Sequence, residues 1–369
     1  MTLIVSAPSV SRPDATTGPD ASPPAAGAGR LPAVDVVRVV TVGAVIAVHA
    51  TSVMLGSASV TGEGVLTVLH TSREVFLCLS AFVLTYSAWR RPEPTTSFWR
   101  RRFPLVLGPY LVWSAVYLVA NTSGWASGTS LAVTRRLAVD VLSAGASYHL
   151  YFLLLTLQLY VVFPSFVRLL RQHERWHGPV LAGSVMLQVG FTAAIAYGPV
   201  LPGPLGAWLA HPGSWLPSYQ LYVVVGVLAG LHFERCAAWV RHHGRLIAAA
   251  AITAVALGAG MFVVNLLVLG MAPAQAGAVF QPAIVVESLV AVVALYALGL
   301  RVVERLADRR RHQLAAGSDV SFGVYLAHPL LLQGLVALGT AAGLRAWWQA
   351  LPGPVAEAIV LAAVVPVLY

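Results

Sequence analysis

From Val34 onward the chain is a succession of apolar runs of near membrane-spanning length, separated by short polar breaks. Ten can be placed, at about 34–54, 71–89, 104–121, 148–167, 179–198, 218–232, 246–268, 281–300, 319–341 and 354–369. A helix needs ~20 residues to cross ~30 Å of hydrocarbon at ~1.5 Å per residue. The runs are uniformly apolar rather than alternating, so they read as helices and not as barrel strands. Composition agrees. Only 23 basic and 14 acidic side chains occur in 369 residues, 10% of the chain, where a soluble domain carries about 25%. The mean hydropathy is +0.77. So few charges cannot cover a water-facing globule of this length, which excludes a soluble enzyme and a disordered chain. The expected fold class is all-α, a polytopic integral membrane protein of about ten transmembrane helices.

Every basic residue is arginine, and its placement orients the chain. With the N-terminus cytoplasmic, 18 of the 23 arginines fall in segments on the inner side, among them Arg90, Arg91, Arg100–Arg102, Arg168, Arg171, Arg175 and Arg309–Arg311. Arg73, Arg135, Arg136 and Arg345 fall outside this set, and Arg38 lies within the first span. Such asymmetry is the positive-inside pattern, so the net charge of +9 is an orientation signal rather than a nucleic-acid footprint. Residues 1–30, rich in Ala, Pro, Ser and Thr, read as a disordered cytoplasmic tail without the features of a cleavable signal. Residues 31–369 form the membrane domain. Trp208 and Trp215 suit an interfacial aromatic belt. Cys78 and Cys236 are expected as buried free thiols, since no disulfide or metal spacing exists. No glycine-rich nucleotide loop is present, and no His, Cys and carboxylate spacing suggests a metal.

Ionisable groups inside spans are costly and mark functional candidates. The first span holds Asp35, Arg38 and His49. Arg38 and His49 are eleven residues apart, about 1100° of helical turn, so both lie on one face some 16 Å apart in rise. Asp35, three residues before Arg38, can pair with it. This stripe is expected to line a cavity, with Arg38 inside and His49 in the outer half, where an imidazole can transfer protons near neutral pH. Arg100, Arg101 and Arg102, at the inner mouth of the third span, could attract a phosphorylated ligand. Further polar residues at membrane depth are His149, Tyr151 and Gln158 in the fourth span, Glu287 in the eighth and His328 in the ninth. Glu287, near the depth of His49, could orient it or carry a proton.

Taken in order, these segments resemble membrane-bound acyltransferase family 3. The leading motif is an arginine followed after ten residues by histidine, matched by Arg38 and His49. FLCLSAFVLTYS (76–87), RRRFPLVLGPYLVWS (100–114), HLYFLLLTLQLYVVFP (149–164) and SFGVYLAHP (321–329) follow in sequence. Ser80-Ala81-Phe82 stands where the family usually has Ser-Gly-Phe, and Leu105 stands where it repeats an arginine three positions after the one matched by Arg102. The resemblance implies ten helices, no bound cofactor, and acyl-CoA (acetyl-CoA first among the candidates) as co-substrate. The acceptor would be a hydroxyl of a cell-envelope carbohydrate, glycolipid or glycosylated metabolite, and membrane lipids rather than nucleic acid would surround the chain. It implies His49 and Arg38 in catalysis, joined on the reading of depth by Glu287, with Asp35, Arg100, Arg101 and Arg102 at the donor. Ser80, His149, Tyr151, Gln158 and His328 would support the acceptor. Arg38 would hold the pantetheine side or the thioester oxygen. The all-Arg, Ala/Val/Gly-rich composition fits a GC-rich bacterial genome, and the expected location is the bacterial cytoplasmic membrane. The rival reading is a proton-coupled exporter of an anionic solute using His49, Glu287 and His328, although no repeated half or broken-helix pair supports it.

Overall fold

A computed structural model of the chain describes residues 30–369 apart from 57, 91–92, 122–129, 200–201, 204–205 and 207–211. Residues 1–29 of the expected tail and Trp208 therefore lie outside the described residues. Among the described residues the structure is helical, with no strand.

Helix α1 (Pro32–Leu55) starts with Pro32 in its first turn, where the missing N–H costs nothing. It stops at Gly56, whose φ of 73° suits glycine best. Helix α2 (Val60–Leu69) is capped by Ser59, whose hydroxyl accepts from Gly62 N at 3.0 Å. It runs into α3 (Thr71–Arg90) so that residues 60–88 form one long span, starting well before the expected 71. Then follow α4 (Thr95–Asn121), the surface helix α5 (Ser130–Ser143), α6 (Tyr151–Gln172) and α7 (His177–Tyr197). Next come α8 (Gln220–Leu231), α9 (Phe233–His242), α10 (Gly244–Leu267), α11 (Pro282–Arg305) and α12 (Asp308–Ala341). The chain ends with α13 (Leu344–Ala350) and the apolar helix α14 (Gly353–Leu368), which contains a π turn at Val360–Val364.

The expected ten spans resolve differently at two places. Among the described residues eight helices are long and apolar enough to cross a membrane, or nine if α8 and α9 count as one span. The chain bends by 93° between them. Helix α8 has only 12 residues, about 18 Å of rise, so it cannot cross alone. The expected tenth span is α14, which is shorter than the eight long helices. Cys236, on the amphipathic α9, is exposed, contrary to the expectation of burial, whereas Cys78 in α3 is buried.

Helix packing relies on small residues, as it must where lipid offers no hydrophobic drive between helices. Gly226 and Gly230 in α8 lie one turn apart against α3. A Cβ on Gly226 would meet the Cys78 carbonyl, and one on Gly230 would approach Thr85 Cβ to 2.7 Å. Gly299 of α11 lets that helix close on the Ala33 carbonyl of α1. Helix α1 thus becomes the central element, packed against α3, α11 and α12. Trp348 Nε1 of α13 donates to the Met54 carbonyl at 3.0 Å, and Thr51 donates to Glu357 Oε1 of α14 at 2.9 Å, tying the last segments to the far end of α1.

Candidate active site

The Arg38–His49 face of α1 borders a cavity of about 290 Å³, walled by α3, α4, α6 and α12. Arg38 and Arg102 line its arginine-rich end, and His49, Arg73, His149 and Tyr151 line the other. A second cavity, of about 340 Å³, lies toward the opposite end and is lined by His49, Ser52, His70, Arg73, Tyr148 and Tyr151. Val45, His49, Arg73 and Tyr151 border both. His49 therefore stands at the junction of two spaces approached from opposite ends of the bundle.

Arg38 is held by a residue 280 positions away. Its Nη1 donates to Ser318 Oγ of α12 at 2.9 Å, and Ser318 Oγ donates to Asp35 Oδ1 at 2.7 Å. The direct Arg38–Asp35 separation is 3.9 Å. Asp35 is buried and borders neither cavity, so it acts on Arg38 through Ser318 rather than on a ligand. Ser318 was missed from sequence; nothing in its local pattern separates it from other small polar residues of α12.

Around His49 the structure gathers three imidazoles. The His49 ring stacks on that of His328 with centroids 5.3 Å apart, and the Tyr148 ring centroid lies 4.5 Å from that of His49. His149 is edge-on to His328 at 5.4 Å. His328 Nδ1 is 2.7 Å from the Tyr325 carbonyl, which can only accept, so Nδ1 carries the hydrogen and Nε2 the lone pair. The Nε2 atoms of His328 and His149 are buried without a protein hydrogen bond among the described residues. His149 Nδ1 contacts Ser147 Oγ at 3.1 Å. The turn carrying Tyr148 and His149 starts at Ala144, whose φ of 57° is unusual for a residue with a side chain. Tyr325 OH donates to the His149 carbonyl at 2.5 Å, and Asn121 Nδ2 to the Ala146 carbonyl at 3.0 Å, which fix this turn against α12 and α4.

In the sequence Arg73 stands out only as an exception to the charge asymmetry. The structure makes it part of the site: its Nη2 contacts Glu74 Oε1 at 2.5 Å, and its guanidinium lies 4.7 Å over the Tyr219 ring and 5.0 Å from that of Phe280. An adjacent Arg–Glu pair inside an apolar run was the available signal, since neither charge is cheap there.

The other sequence candidates separate. Successive residues on a helix diverge by 100°, and the three arginines of α4 do so. Arg102 faces the cavity, Arg101 pairs with Glu93, and Arg100 is exposed beside Trp99 and Phe103. Leu105 also lines the cavity, one turn from Arg102. Ser80 lines it as well, its hydroxyl donating to the Phe76 carbonyl at 2.9 Å. Gln158 is spent on structure: Nε2 donates to the Ser214 carbonyl at 2.8 Å and Oε1 accepts from Leu216 N at 3.0 Å, bracketing the chain that enters α8. Glu287 borders neither cavity. It fills the space opposite Gly258 of α10, so it is not brought to His49. Matching depth on two helices does not bring side chains together when the faces diverge.

This arrangement defines a class: an integral-membrane enzyme site with a histidine where two cavities from opposite ends of the bundle meet. A family model described as an acyltransferase domain matches residues 31–369. The chain belongs to that family, acyltransferase family 3, and is a multi-pass membrane acyltransferase. No curated protein and no solved structure matches the chain.

Proposed function

We propose that the protein is an acyl-CoA-dependent O-acyltransferase of a bacterial cytoplasmic membrane. Acyl-CoA, acetyl-CoA first, would enter from the arginine-rich cytoplasmic end, and a hydroxyl-bearing sugar, glycolipid or glycosylated metabolite from the other. The observation that carries this reading is the position of His49, which borders both cavities. Acyl-CoA is a co-substrate, and the route draws on no resident cofactor.

Arg38 and His49 lie about 16 Å apart along α1, too far to serve the same carbonyl. Arg38 and Arg102 therefore hold the pantetheine arm, while Arg73, bordering both cavities with His49, is the cation nearest the thioester. His49 removes the proton of the acceptor hydroxyl, whose oxygen attacks the thioester carbonyl. The resulting oxyanion forms in the field of Arg73. On collapse the C–S bond breaks, the thiolate takes the proton from the His49 imidazolium, and the products are the ester and CoA. Tyr148 and Tyr151, with Ser52, Ser72 and His70, offer the second cavity aromatic faces and hydrogen-bonding groups suited to a carbohydrate.

Purified protein in lipid, supplied with labelled acetyl-CoA and an envelope-carbohydrate fraction, is expected to transfer label and release CoA. His49→Ala should lower transfer by roughly 10²- to 10⁴-fold, the usual contribution of a general base. Full transfer by His49→Ala would overturn the assignment.

A further inference from the structure

A third pocket, of about 300 Å³, opens at the arginine-rich end between α4 and α6, beside the inner cavity but separate from it. Arg168 and Arg171 line it, one turn apart on α6, together with Glu93, Thr95, Phe98 and Phe163. Glu93 is already matched by Arg101 and by Ser97, whose hydroxyl lies 3.5 Å away, so the arginines set the sign of the pocket. Arg168 Nη2 donates to Thr95 Oγ1 at 3.1 Å, which anchors that guanidinium at the rim. The rings of Phe98 and Phe163 stack at 5.5 Å and form an apolar wall. Phe98 also packs edge-on against Tyr160 at 5.8 Å, and Tyr160 lines the inner cavity. The pocket and the space that leads to His49 thus share one aromatic wall.

We propose that this pocket binds the 3′-phosphoadenosine diphosphate end of the acyl-CoA donor, with Arg168 and Arg171 on phosphate and Phe98 and Phe163 against the adenine. The inference rests on the acyl-CoA reading above. It is favoured by the pairing of two guanidiniums with an aromatic wall, which suits a nucleotide better than a simple anion. It also gives the donor's nucleotide a place, since of the three α4 arginines only Arg102 faces the inner cavity.

The test compares binding of acetyl-CoA with binding of acetyl-pantetheine, which lacks the nucleotide, to the full chain in lipid nanodiscs. Arg168→Gln/Arg171→Gln is expected to weaken acetyl-CoA binding by roughly 10- to 100-fold, the value of one or two lost charge-assisted bonds. Acetyl-pantetheine binding by the same variant, which also reports correct folding, should change less than threefold. Adenosine 3′,5′-bisphosphate should compete with acetyl-CoA on the wild type and lose that competition on the variant. Arg175→Gln, at the same end but outside the pocket, should leave the ratio of the two affinities unchanged. Equal losses for both ligands, an equal effect of Arg175→Gln, or an effect that follows only the anionic lipid content of the disc would each overturn the nucleotide site. Failure of the wild type to bind acetyl-CoA at all would instead overturn the donor reading on which it rests.

Discussion

Replacing Ser318 with alanine isolates the positioning of Arg38 from its charge. The hydroxyl accepts from Arg38 at 2.9 Å and donates to Asp35 at 2.7 Å, while the two charges stand 3.9 Å apart. Each bond to a charged group is worth about 1.5–3 kcal/mol where its partner stays buried, and Asp35 is 4% exposed. Part of that loss is recovered if Arg38 closes directly on Asp35, which requires the guanidinium to move by about 1 Å, from 3.9 Å to an ordinary charge-assisted contact. A displacement of that size in a substrate-positioning group costs up to about 10²-fold. Ser318→Ala is therefore expected to lower kcat/KM for acetyl-CoA by roughly 10- to 100-fold, mainly through KM, with a thermal midpoint only a few degrees lower. Steady-state kinetics of CoA release, with Arg38→Ala beside it and Ser318→Thr as the variant that keeps the hydroxyl, reads the effect. Wild-type kinetics in Ser318→Ala alongside an inactive Arg38→Ala would refute the claim that this hydroxyl sets the position of Arg38.

Two further perturbations test the packing around the site. Arg73→Ala leaves the buried Glu74 without its partner and should destabilise the protein by about 3–5 kcal/mol in unfolding from nanodiscs, with part recovered in Arg73→Ala/Glu74→Gln. A single variant as stable as the wild type would show that the pair is not needed. Gly226→Ala should cost about 1–3 kcal/mol because its methyl group meets the Cys78 carbonyl and Ala81. Gly260→Ala, with nothing within 4 Å of the added carbon, should be neutral or stabilising. Equal midpoints for the two glycine variants would remove the close α3–α8 approach as the cause.

Different parts of this protein were legible to different degrees, and helix periodicity explains most of the division. Arg38 and His49 could be paired from sequence because eleven residues return a helix to the same face, a property of one segment alone. The same 100° step separates Arg100, Arg101 and Arg102, so three adjacent charges could not all serve one cavity. Glu287 was matched to His49 by depth. Depth says nothing of azimuth, and α11 turns that residue toward the gap left by Gly258. The bend between α8 and α9 is hidden because the apolar run at 218–232 looks like a short span and nothing in it marks a 93° turn at its end.

The sequence by itself determined the solvent of the fold, its helical class and the polar stripe on α1. Each of these follows from the cost of burying charge and backbone in hydrocarbon, and that cost is read residue by residue. Only the tertiary structure decided which helices face that stripe. Ser318, His328, Arg73 and the 144–150 turn reach Arg38 and His49 through side-chain contacts between segments up to 283 residues apart. Such contacts depend on helix rotation and on close approach at glycines, and no local period encodes either.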